Sequence, residues 1–137
     1  MSQLQNKFRT MLKLLDIFYT CLHLLIICFN LFGWIWPKTR KFHLVFVALT
    51  LASWFILGIW YGIGYCPITD WQWNVKRKLG ETNLPSSFIK YFADKITGND
   101  YPPAFVDRVT LISFLMAIAI TIYVNFFRKY FKTKSIE

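Results

Sequence analysis

Apolar residues fall along this chain in three long runs, not in the alternation of strands or the narrow stripes of soluble helices. The first, Leu14 to Trp36, is interrupted by Asp16, His23 and Asn30; the second, Phe42 to Tyr65, and the third, Val109 to Phe127, contain no Asp, Glu, Lys or Arg. About 20 such residues span a bilayer as a helix, so the pattern predicts an all-α membrane bundle of three transmembrane helices. Trp34 and Trp36 close the first run as interfacial aromatics do, and Pro37 stops it. The run is longer than a signal-peptide core and no small-residue cleavage site follows, so it is expected to remain as a span. The short basic stretch Pro37 to Lys41 forces the first two helices into an antiparallel hairpin.

Residues 66–108 read differently. Asp70, Lys76, Arg77, Lys78, Glu81, Lys90, Asp94, Lys95, Asp100 and Asp107 rule out a span there. Two short amphipathic helices fit this extramembrane loop. Thr69 and Asp70 cap one that runs to Leu79 and closes at Gly80, with Trp71, Val75 and Leu79 as its apolar face. Pro85 and Ser86 open the other, with Phe88, Ile89 and Phe92 apolar and Gly98 as its stop. Trp71, Trp73, Phe88, Tyr91 and Phe92 suit a loop lying on the bilayer surface. Asn99 to Pro103 reads as a turn, and residues 1–137 as one membrane domain.

Composition agrees. The chain is 55% hydrophobic and 17% charged, below the quarter or so that a soluble domain carries. The net charge of +9 raises nucleic acid as a partner, but its carriers flank the apolar runs: Lys7, Arg9 and Lys13; Lys38, Arg40 and Lys41; Arg128, Lys129, Lys132 and Lys134. That distribution anchors loops at lipid head groups and argues against nucleic acid. The dense basic short loop and tail favour the cytoplasmic side, which leaves the N-terminus and the long loop outside.

Asp16, His23 and Asn30 are spaced by seven, so all three share one face of the first helix, with Thr20 beside them. Polar residues in lipid face a bundle interior or a polar cavity. They serve either as interhelical hydrogen bonds or as a proton or ligand path. His23 and His43 invite bis-histidine haem, but their offset along the two helices exceeds about 10 Å of depth. Gly58 and Gly62 form a G-x-x-x-G segment that favours close helix packing. Cys21 and Cys28 lie about 10 Å apart along one helix, too far for a disulfide, and no zinc spacing exists. Cys66 stands alone past the second run, with neither histidine expected near it to activate a thiol.

Cys66-Pro67-Ile68-Thr69, then Gln72, Val75-Lys76 and Gly80, then Ser87-Phe88-Ile89 with Tyr91, resemble the bacterial membrane family catalogued as domain of unknown function 2784. Its hallmark is a Cys-Pro-Leu-Thr stretch followed by a Glu, a Leu-Arg pair and a Gly, with a histidine in the first helix and one early in the second, where His23 and His43 stand. The resemblance covers nearly the whole chain. Gln72 replaces the Glu, Lys76 replaces the Arg, and Asp70-Trp71 replaces a Pro-Leu pair. The Glu-to-Gln change removes a charge and with it a general base at that position. The resemblance implies a small multi-span protein of the bacterial inner membrane and no particular activity.

No acid, base and nucleophile converge in the sequence, so no catalytic residue, metal site or obligatory cofactor is expected. The leading expectation is an accessory or structural subunit of a larger membrane complex, with other membrane protein subunits and the lipid bilayer as partners. A redox or haem-linked protein using His23, His43 or Cys66 is the alternative, and a carrier or proton path built on Asp16, His23 and Asn30 ranks after it.

Overall fold

The computed structural model describes residues 1–62 and 64–127, and the basic tail invoked above lies outside them. The described residues form five helices: α1 (Ser2–Phe32), α2 (Arg40–Tyr61), α3 (Pro67–Lys78), α4 (Phe88–Thr97) and α5 (Pro103–Phe127). α1, α2 and α5 are long and apolar enough to cross a membrane. This is the three-span helical fold that the apolar runs predict.

The boundaries move for physical reasons. α1 begins twelve residues before Leu14, so Lys7, Arg9 and Lys13 ride on a helix that projects past the bundle. It ends at Phe32 rather than Trp36, because the chain turns at Gly33. The Gly33 N–H donates to the Phe29 carbonyl at 2.8 Å, and the Thr39 hydroxyl donates back to the Gly33 carbonyl at 2.8 Å. A Cβ on Gly33 would lie 2.6 Å from His43 Cδ2, so only glycine admits the imidazole this close to the turn. α2 winds as a π-helix over Ser53–Leu57, and α5 does so over Tyr123–Phe127.

After Tyr61 the backbone takes positive φ at Gly62 (102°) and Gly64 (89°), values that cost a side-chain-bearing residue dearly. The chain reverses here. The Ser53 hydroxyl, two turns back in α2, donates to the Tyr65 carbonyl at 3.0 Å. Gly62 therefore ends the helix and, within this chain, faces open space where a Cβ would stand. It does not continue a groove begun at Gly58. α3 starts at once, with Pro67 in its first turn, where a missing N–H costs nothing. It packs against α1 through Gln72 and Lys76.

The buried residues invert the soluble pattern. Among the described residues the largest side chains with essentially no exposure are Lys76, His43, Gln72 and Thr121, while Phe42, Leu49, Ile59, Trp60, Leu115 and Met116 are exposed. Lipid tolerates the apolar exterior, and the buried polar side chains find most of their hydrogen-bond partners inside.

Candidate functional site

One face of α1 organises the interior. Asp16, His23 and Asn30 all turn inward, and each nucleates a separate polar cluster.

At Asp16 the partners come from α3. Gln72 Nε2 donates to Asp16 Oδ1 at 2.8 Å and to the Thr20 hydroxyl at 2.9 Å. Lys76 Nζ spends its protons on Asp16 Oδ2 at 2.9 Å, Glu81 Oε1 at 3.2 Å and the Tyr91 hydroxyl at 2.9 Å. The Tyr91 hydroxyl donates on to Glu81 Oε2 at 2.9 Å. Burial alone pulls the Lys76 ammonium down. Tyr91, Asp16 and Glu81 outweigh it and hold the group well above the ordinary lysine value.

The buried face of α3 is therefore Thr69, Gln72, Trp73, Val75 and Lys76. This corrects the expected apolar face, since Trp71 is exposed. The helix turns its polar side inward because the α1 stripe needs hydrogen-bond partners more than lipid-solvated surface needs covering.

At His23 the geometry overturns the expectation that Cys66 has no histidine near it. His23 Nδ1 donates to the Tyr19 carbonyl at 3.1 Å, which leaves Nε2 as the acceptor. Nε2 meets the Thr69 hydroxyl at 3.1 Å and Cys66 Sγ at 3.8 Å. Phe88 stacks on the imidazole, with centroids 4.1 Å apart, and fixes its plane. The linear sequence places Cys66 past the end of the second run. The glycine reversal instead brings it back beside Ser53, about 12 Å of helical rise inside the Tyr61 end.

At Asn30 the partners are α2 and α5. His43 Nε2 donates to the Asn30 carbonyl at 2.8 Å, and the Thr121 hydroxyl faces His43 Nδ1 at 3.1 Å. Asn30 Nδ2 donates to Thr50 at 3.0 Å. His43 thus sits at the level of Asn30, about 10 Å of helical rise past His23. Both nitrogens of each imidazole already have hydrogen-bond contacts. Among the described residues no three His, Cys, Asp or Glu side chains gather as a metal site.

Sequence reasoning found Asp16, His23, Asn30, His43 and Cys66 but missed Thr69, Lys76, Tyr91 and Thr121 as their partners. Three of these lie within the stretch that carried the family resemblance. Thr121 had no signal beyond being a hydroxyl in an apolar run.

The fold and interior define a small multi-span helical membrane protein with a polar seam along its first span. The family described as "Protein of Unknown function (DUF2784)" matches residues 13–126, and the chain belongs to it. No curated protein and no solved structure matches it.

Proposed function

We propose that this chain is an accessory or structural subunit of a larger complex in the bacterial inner membrane. One observation carries the reading. In the most apolar window of each span, only 11% of residues in α1 and 17% in α2 and α5 are buried within the chain. Three helices that bury so little against one another leave wide apolar faces for lipid or for partner helices. Most of the interior polar groups meanwhile satisfy one another, the behaviour of a scaffold that holds its shape.

The short basic loop and the C-terminal end of α5 share one end of the bundle, since His43 pairs with Thr121. The positive charge of the short loop, from Lys38, Arg40 and Lys41, supports a cytoplasmic position for that end, with the N-terminus outside. The test is gentle detergent purification followed by native mass spectrometry and crosslinking. A defined hetero-complex is the expected result. A lone monomer from membranes expressing it at natural abundance would sink the reading.

The redox or cofactor-linked alternative divides in two. A haem shared by His23 and His43 gains nothing from imidazoles engaged in separate clusters. Chemistry at Cys66 does gain support, from its contact with His23.

A further inference from the structure

We propose that Cys66 and His23 form a nucleophile–base pair that accepts a long-chain acyl group from an acyl thioester. The proposal goes beyond the subunit reading and does not depend on it.

Three features of the site build the case. The first is orientation. The Tyr19 carbonyl holds the proton of His23 on Nδ1, so the lone pair of Nε2 points at Cys66 Sγ and Thr69 Oγ1. An activated thiol needs a base in this arrangement, with a third group fixing the tautomer. The second is a waiting acceptor. Gln72 is fully buried, and its Oε1 has no hydrogen-bond partner. Its amide cannot be turned over, because the other end faces the acceptor-only carboxylate of Asp16. Gln72 shares the buried face of α3 with Thr69, the partner of His23 Nε2, and an imidazolium there needs an acceptor that a neutral ring does not. The third is position. Cys66 is the N-cap of α3, a twelve-residue helix whose first-turn amides make that end electropositive.

The substrate class follows from depth and from chemical balance. Cys66 is partly exposed and follows Tyr65, whose carbonyl is tied to Ser53 within the membrane-spanning α2. An electrophile that partitions into lipid reaches it. In the step, the thiol proton passes to His23 Nε2 as the Thr69 hydroxyl turns to the carbonyl one turn back, a common threonine alternative. The sulfur attacks the thioester carbonyl carbon, the donor's C–S bond breaks, and the leaving thiolate takes the proton from Nε2. One thioester is lost and one gained, so no oxidant or reductant is required.

The test uses the full chain in lipid nanodiscs with alkyne-tagged palmitoyl-CoA. The expected result is a hydroxylamine-labile label on Cys66 at a rate at least about tenfold above Cys21 and Cys28. Those two thiols sit on the exposed side of α1 and are built-in controls. His23→Ala is expected to slow labelling of Cys66 by about a hundredfold, with added imidazole restoring part of the rate, which a merely structural histidine does not allow. Wild-type labelling spread equally over the three cysteines overturns the proposal without any variant. So does a folded His23→Ala chain that labels at the wild-type rate, or one that imidazole leaves unchanged.

Discussion

Lys76 and Asp16 stand 60 positions apart in sequence and 2.9 Å apart in space, and the lysine side chain is 2% exposed. Removing one member of a buried pair leaves the other unpaired, at about 3–5 kcal/mol. Asp16 keeps some water contact, so Lys76→Met is expected at the low end, about 3 kcal/mol. It is read as a lowered unfolding midpoint in detergent. Asp16→Asn combined with Lys76→Met should recover part of that loss, because no lone charge remains. A double variant less stable than the sum of the singles would contradict the pairing.

The same lysine fixes a pH dependence. Its folded value is raised, so its stabilisation is complete below the ordinary lysine value near 10.4 and is lost as pH climbs through the higher folded value. The stability gap between wild type and Lys76→Met should stay level from neutrality to about pH 10 and narrow above it. Melting curves across that range check the sign.

The α4–α5 turn depends on pH in the opposite sense. Lys90 Nζ bridges Asp94 Oδ2 at 2.6 Å and Asp100 Oδ1 at 2.7 Å, and Asp94 Oδ1 accepts the Tyr101 N–H at 3.0 Å. The Lys90 ammonium, then the Tyr101 amide, hold the Asp94 carboxyl below the usual carboxylate range. Its support is present above the ordinary aspartate value, about 3.9, and fades as pH falls through the depressed one. Hydrogen exchange at the Tyr101 amide, corrected for intrinsic rate, should lose protection in acid, and Asp94→Asn should show that loss already at neutrality.

Gly33 and Gly80 separate crowding from backbone strain. Gly33→Ala drives a methyl into His43 and the Phe29 carbonyl, an overpacking worth about 1–3 kcal/mol. It should also displace the His43 ring, visible in imidazole NMR shifts. Gly80→Ala meets nothing within 4 Å but sits at φ +94°, so it should cost about 1–2 kcal/mol with the His43 signals unmoved.

Thr121→Val keeps shape and removes the hydroxyl facing His43 Nδ1. Interhelical hydrogen bonds in membranes average about 0.6 kcal/mol and reach about 1.7. The loss should fall in that range and be absent in a His43→Phe background.

The spans were legible because twenty uncharged residues have few alternatives in water. The polar stripe was legible too, since a period of seven leaves Asp16, His23 and Asn30 on one side whatever surrounds them. The inward side of α3 was not. Trp71, Val75 and Leu79 make a respectable apolar stripe, and nothing local says that Gln72 and Lys76 have Asp16 waiting for them. Cys66 was misjudged for a related reason. Gly62 and Gly64 signal a break, but a break does not declare its direction, and only the Ser53–Tyr65 bond reveals that the chain doubles back.

That doubling back imposes an order on biogenesis. When α1 leaves the ribosome, the groups that will neutralise Asp16 and satisfy His23 are still untranslated, so the first span enters the insertion machinery carrying unmet polar demand. The second span engages only Asn30, whose Nδ2 donates to Thr50 and whose carbonyl accepts from the incoming His43. α3 must then be retained near the newly inserted hairpin until Thr69, Gln72 and Lys76 seat, and Thr121 arrives last to close on His43. Nascent chains cut short before Lys76 should therefore be prime clients for membrane quality-control proteases.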